Sequence, residues 1–330
     1  MNSQAQPAAA SHPDRPDTAA SVDGTATTGV VPARSGPIAI GRRQAWLLAA
    51  RPKTLPAAIA PVVVGTAVAI RERGFDLGAT LACVAVALLL QIAANFANDA
   101  FDFHKGADTA ERLGPTRVTA AGLIPSRHVL LATAATLLLA MLAGSYLVVL
   151  GGWPILAIGL LAVVSAVAYT GGPAPLGYAG LGDLFVFLFF GLVAVAGTAY
   201  VQTGELTNLA LTAGIPIGCL ATAILAVNNL RDVDTDRVAG KRTLAVRLGP
   251  NGAIAEYIVL MTIAYLTPVA LYLTGELEVW ALIPWALIPL TIMITRGVMH
   301  ETGRQLNARL AGTARLELLF ALFFAIAIVR

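Results

Sequence analysis

The stretch Asn95-Phe-Ala-Asn-Asp-Ala-Phe-Asp-Phe-His-Lys-Gly-Ala-Asp108 turns polar while the chain is still inside an apolar run of about twenty residues, long enough to cross a bilayer. At helical spacing Asn95, Asp99 and Asp102 fall at i, i+4 and i+7, so one face of the helix end carries an amide and two acids. A second run, Asn228-Asn-Leu-Arg-Asp-Val-Asp-Thr-Asp236, closes another apolar stretch and sets Asn228, Asp232 and Asp236 at i, i+4 and i+8. Ionisable groups at membrane depth are costly and face a cavity, a partner or a substrate. Two matching acidic faces therefore mark a functional site.

Working outward, 57% of the 330 residues are hydrophobic and 12% are charged, which excludes an ordinary soluble domain and points to an all-α, polytopic membrane protein embedded in the lipid bilayer. The net charge is only +3, and the basic residues flank apolar segments instead of alternating with exposed aromatics, so no nucleic-acid partner is expected. Cys83 and Cys219 lie inside apolar runs and serve packing, not a disulfide framework.

Residues 1–40 are rich in Ala, Ser, Thr, Pro and Gly and cannot bury enough surface to offset their ordering entropy, so a disordered cytoplasmic tail is expected there. No compact apolar run of the signal-peptide kind precedes residue 44. The membrane domain is expected over 41–330. Nine apolar windows follow, at roughly 50–70, 78–98, 128–150, 153–170, 180–203, 208–228, 253–273, 278–298 and 313–330. The first holds Pro56 and Pro61 and follows a short amphipathic piece around Gln44 to Ala50 that suits the interface.

Of the twenty-two Lys and Arg, two lie in the tail and only Arg71, Arg73 and Arg330 flank one side of the expected membrane; the other seventeen gather on the opposite side. The positive-inside rule puts that side, with the N-terminus and both acidic runs, in the cytoplasm of a multi-pass cell-membrane protein. Four crossings separate the ends of the second and sixth windows, so parity also brings the acidic faces to one side. The same offset suggests two four-helix copies plus a ninth helix.

Four carboxylates converging in a low dielectric take up protons unless a cation sits among them. Carboxylate and amide oxygens suit Mg²⁺, which keeps waters and completes its shell with substrate phosphates. Lys105, Arg112 and Arg117 follow the first acidic run and Arg237, Lys241 and Arg242 the second, as donors for diphosphate oxygens; membrane topology alone also accounts for such bases. In a chain almost wholly in lipid, a diphosphate substrate is itself a lipid, and departure of its diphosphate leaves a cation from which water must be kept.

These residues carry a family resemblance. Ala49-Ala-Arg-Pro-Lys-Thr-Leu-Pro56, Asn95 through Gly122, Tyr169-Thr-Gly-Gly-Pro-Ala-Pro-Leu-Gly-Tyr-Ala-Gly-Leu-Gly-Asp183 and Asn228 through Gly249 resemble the UbiA superfamily of intramembrane aromatic prenyltransferases. Within it, the likeness is to the branch that prenylates 1,4-dihydroxy-2-naphthoate in menaquinone synthesis. The family's first motif has a third acid four residues after the second. Gly106 stands there in this chain, and the next acid is Asp108.

The resemblance implies a nine-helix barrel around a central cavity open to lipid. It implies Asp99, Asp102, Asp232 and Asp236 as Mg²⁺ and polyprenyl diphosphate ligands, with Asp108 as a further metal ligand and Asn95, Asn98 and Asn228 in support. Lys105, Arg117, Lys241 and Arg242 would hold phosphate oxygens, and Tyr169 would sit in the cavity near the acceptor. It also implies the products: demethylmenaquinol, diphosphate and carbon dioxide. Other acceptors in the family (4-hydroxybenzoate, homogentisate, haem, a chlorophyllide) and, from another class, an ion-coupled transporter are the competing functions. Asp234 lies off the shared face, Arg231 reads as a cap or ion-pair partner, and Asp183 reads equally as a cap of the fifth helix and as a site residue. His104 lacks the partner spacing of a zinc ligand, and the Phe185, Phe187, Phe189, Phe190 cluster reads as lipid-facing or core.

Overall fold

The computed structural model describes residues 40–106, 113–173 and 175–330, all helix and connecting loop with no strand among them. The expected tail, apart from its last residue, lies outside the described residues, as do Asp108 and Arg112. Ten helices run in order: α1 (Arg42–Ala50), α2 (Leu55–Arg71), α3 (Leu77–His104), α4 (Ser126–Ala168), α5 (Gly182–Thr203), α6 (Asn208–Arg231), α7 (Val233–Val238), α8 (Leu244–Leu273), α9 (Val279–His300) and α10 (Leu306–Val329). The protein is a multi-pass membrane protein, and among the described residues eight stretches are long and apolar enough to cross a bilayer.

Nine windows are expected from the sequence, and the difference lies in α4. Its 43 residues would reach about 64 Å if straight, roughly twice a bilayer's hydrocarbon core. Gly152 breaks it with φ 69° and ψ −157°. Ser126 at its start meets His104 (2.7 Å), a Cβ on Gly151 would meet Tyr200 and Val201, and Thr170 just past its end donates to Asn98 (2.7 Å). The element thus runs out to the far end of the molecule and back.

Proline and steric limits shape the first span. α1 buries Ala45 and Ala49 and sets Trp46 edge-on to Phe96 of α3 at 5.6 Å. It stops at Arg51, whose φ of 52° is left-handed, because Pro52 cannot continue a helix. Pro56 then opens α2 in its first turn, where a missing N–H costs nothing.

Burial separates the centre from the periphery. Of the apolar window in α6, 72% is buried by protein, against 6% in α4. α6, α8 and α10 pack into one core that includes Ile217, Leu220, Tyr257, Leu316 and Phe320. The cavity stands to one side of that core, between α2, α3, α4 and α5, with a volume of about 540 Å³. Its walls are mostly apolar, with Gln91, Asn95, Asn98 and Tyr169 at one end and Ser145 and Thr198 elsewhere in the lining. Phe185, Phe189 and Phe190 line it, the last two from a π-helical turn over residues 187–193 of α5.

That turn approaches α6 closely. A Cβ on Gly218 would lie 2.7 Å from the Phe187 carbonyl oxygen and 3.1 Å from the Gly191 Cα, so small residues are required where the backbones meet. Gly218→Ala is expected to cost about 1–3 kcal/mol through overpacking. Gly197→Ala on the same α5, with nothing within 4 Å of the added carbon, is the control. Thermal denaturation in detergent checks the pair, and equal melting temperatures would contradict the close approach.

Candidate active site

α3 and α6 end on the same side of the molecule, as parity requires. The far side is joined by Arg71, which donates to the carbonyls of Ile328 (3.0 Å) and Glu276 (3.2 Å). On the near side, Asn95 Nδ2 donates to the Ala50 carbonyl and to Thr54 Oγ1, both at 3.0 Å, and so ties α3 to the turn that starts α2. Asn98, one helical step on, lines the cavity and accepts from Thr170.

The four aspartates are all buried and differ in what they hold. Asp99 accepts backbone N–H bonds from Val118 (3.0 Å) and Thr119 (2.9 Å), one on each oxygen, and so anchors the turn after the first motif. Asp102 takes Arg117 on Oδ2 (2.7 Å) and the Tyr178 hydroxyl on Oδ1 (3.0 Å). Asp232 is gripped by the neighbouring guanidinium of Arg231, whose Nε donates to Oδ1 at 2.8 Å and whose Nη2 donates to Oδ2. Arg231 also donates to Asn228 and Asn307, both at 2.8 Å, so the expectation of an ion-pair partner is met. Asp236 pairs with Lys241 at 3.0 Å.

The two motifs meet over Tyr178. Lys105 Nζ lies 4.7 Å and Lys241 Nζ 5.1 Å from the centre of its ring. Lys105 also donates to the Thr170 carbonyl at 2.7 Å, which binds the end of α3 to the loop between α4 and α5. Arg242 joins through its backbone, donating its N–H to the Tyr178 carbonyl (2.9 Å), while its side chain is exposed. Arg117 is buried, and Lys241 half-buried.

Electrostatics report the same convergence. Burial raises the Asp236 carboxyl above its ordinary range; Lys241 opposes the shift, and the charges of Asp232 and Asp102 add to it. The Tyr169 phenol, at the polar end of the cavity, is pushed well above the usual tyrosine value by burial first and then by Asp183, Asp102 and Asp236. Asp183 stands in the first turn of α5 without capping it, and its carboxyl lies beside that of Glu256 of α8. His104 is spent on Ser126, away from any ligand set.

Sequence reasoning missed two groups. Tyr178 shows no periodic or charge signal, and only its place in the Pro175 to Gly182 turn carries it to the acids. Thr170 was hidden in the same way. Among the described residues, no group of three or more His, Cys, Asp or Glu side chains is placed to hold a metal ion. The oxygens nevertheless fit a hard divalent cation that shares its shell with ligand phosphates. Asp102, Asp232 and Asp236 are balanced by side-chain cations, Arg117, Arg231 and Lys241, that can exchange for one.

Comparison with known proteins agrees with this geometry. Two enzymes named 1,4-dihydroxy-2-naphthoate octaprenyltransferase are each 39% identical to the chain. The one from Mycobacterium tuberculosis matches over 85% of this chain and 95% of its own length. The one from Escherichia coli matches over 79% and 87%. A UbiA homologue from Archaeoglobus fulgidus, solved bound to DMAPP and Mg²⁺, has the same fold, with a TM-score of 0.62 at 17% identity over 86% of this chain and 98% of that one. The family model described as the UbiA prenyltransferase family matches residues 58–326, and the chain belongs to that family.

Proposed function

We propose that the protein transfers a polyprenyl chain from polyprenyl diphosphate to 1,4-dihydroxy-2-naphthoate at the cytoplasmic face of the cell membrane, releasing diphosphate and carbon dioxide. The observation that carries this is the meeting of two acid-and-lysine helix ends over Tyr178 beside an apolar cavity of about 540 Å³. The names of the relatives at 39% identity support the naphthoate acceptor. The Archaeoglobus homologue's DMAPP and Mg²⁺ support the donor and the metal.

In this chemistry the allylic C–O bond breaks and the diphosphate leaves with the electron pair. The aromatic ring supplies the pair for the new C–C bond, and loss of the carboxylate as carbon dioxide restores aromaticity. Asp102, Asp232 and Asp236, with Asn98 and Asn228 beside them, would hold Mg²⁺ together with the diphosphate; Asp108 would add a ligand from outside the described residues. Bound Mg²⁺ supplies charge neutralisation for the leaving group. Lys105, Arg117, Lys241 and Arg242 hold phosphate oxygens. Asn95 fixes α3 against the turn before α2, and Asp99 shapes the turn that delivers Arg117. Tyr169 meets the acceptor at the cavity's polar end, and the Phe-lined wall keeps water from the cation.

The test is an acceptor panel in nanodiscs with an isoprenyl diphosphate and Mg²⁺, products identified by mass. Dihydroxynaphthoate is expected to give the decarboxylated, prenylated quinol. Prenylation of 4-hydroxybenzoate or homogentisate, with none of the naphthoate, overturns the acceptor; uptake of an ion without diphosphate release overturns the enzyme.

A further inference from the structure

Tyr178 touches both motifs of the site. Its hydroxyl donates to Asp102 from the first motif, its ring carries the ammonium groups that follow each motif, and its carbonyl receives the Arg242 N–H. The chemistry of that ring matters. A carboxylate between Lys105 and Lys241 would locate them but cancel their charge. A neutral aromatic face locates ammonium groups through its quadrupole and leaves their charge for an incoming anion. Lys105 also donates to two uncharged acceptors, the carbonyls of Thr170 (2.7 Å) and Gly172 (3.4 Å), while Lys241 is paired with Asp236 at 3.0 Å and is released for an anion when a cation takes that carboxylate.

We propose that Tyr178 is a positioning residue that holds Lys105 and Lys241 as a two-ammonium clamp for the donor's diphosphate, in register with Asp102. This rests on the prenyl diphosphate reading of the site. The hydroxyl and the ring have separable tasks. The hydroxyl aligns Asp102, whereas the ring sets the distance between the two lysines, which belong to segments more than a hundred residues apart in the chain. Without the ring the ammonium groups repel each other and scatter, and the diphosphate must order them on binding.

The experiment compares Tyr178→Phe, Tyr178→Trp and Tyr178→Leu in nanodiscs. Binding of inorganic diphosphate with Mg²⁺ is measured by calorimetry, alongside the KM for each substrate. Tyr178→Leu is expected to weaken inorganic diphosphate binding and raise the donor KM about tenfold, with the acceptor KM unchanged, as loss of two cation–π contacts implies. Tyr178→Phe and Tyr178→Trp, which keep a ring, are expected to stay within about threefold of the parent in diphosphate binding. A general structural role would raise both KM values together. If Tyr178→Leu does not fold, Lys105→Met and Lys241→Met replace it: as a clamp, their losses in diphosphate binding are non-additive, and additive losses overturn the proposal. Equal diphosphate binding by the parent and Tyr178→Leu also overturns it. A parent that binds no diphosphate at all instead overturns the donor assignment on which the proposal rests.

Discussion

Asp102→Asn and Asp236→Asn are each expected to lower turnover by about 10²–10³-fold while leaving the protein folded, because each removes a negative charge that would hold Mg²⁺ against the leaving diphosphate and keeps the side chain's shape. Asparagine at 102 still offers an oxygen to Arg117 or Tyr178, the partners that the aspartate holds at 2.7 and 3.0 Å, so the local network survives in part. The contrast is Asp99→Asn. Both Asp99 oxygens accept backbone N–H groups, and an amide presents only one acceptor, so a buried N–H of Val118 or Thr119 loses its partner. That costs about 1–3 kcal/mol of stability. Rates and melting temperatures for the three variants separate the two kinds of effect. Turnover near the parent's in Asp102→Asn, with Asp236→Asn equally active, removes the acids from the chemistry.

Gly197→Phe is expected to change which donors the enzyme accepts. Gly197 lines the cavity and has open space where a Cβ would go. It lies fourteen residues beyond Asp183 on α5, about 20 Å from the polar end at helical rise. A phenyl ring there shortens the apolar tunnel without touching the headgroup. Relative to geranyl diphosphate, kcat/KM for octaprenyl diphosphate should fall tenfold or more, about 1.4 kcal/mol of lost discrimination. Competition between the two donors, with product masses read directly, measures it. An unchanged ratio would mean that the chain lies elsewhere. This result is distinct from the acid variants, which should slow every donor alike.

The sequence placed both acidic faces because a helix has a fixed period: Asn95, Asp99 and Asp102, like Asn228, Asp232 and Asp236, share a side wherever the helix happens to lie. It placed them on one membrane side because apolar lengths and basic flanks obey the bilayer, whatever the packing. It did not separate Asp99 from Asp102, since the difference is a turn nearly twenty residues away that brings two N–H groups to one acid and a guanidinium to the other. The break at Gly152, where α4 turns back, falls between the windows that the sequence set at 128–150 and 153–170. The Phe185, Phe189 and Phe190 rings read as core or lipid-facing from composition, yet all three line the cavity, Phe189 and Phe190 from the π turn of α5.

Hydropathy and periodicity, then, are local properties, and from them the sequence by itself determined the membrane class, the all-helical fold, the gathering of charge on one side and the two acid-bearing helix ends. Only the tertiary structure decided which partner each acid keeps, that the cavity lies between α2, α3, α4 and α5 beside a solid core, and that Tyr178 joins the two motifs. Those contacts link residues far apart in the chain. Their geometry is set by how close the helix backbones can approach and by the paths of the loops, and neither is written in any one segment.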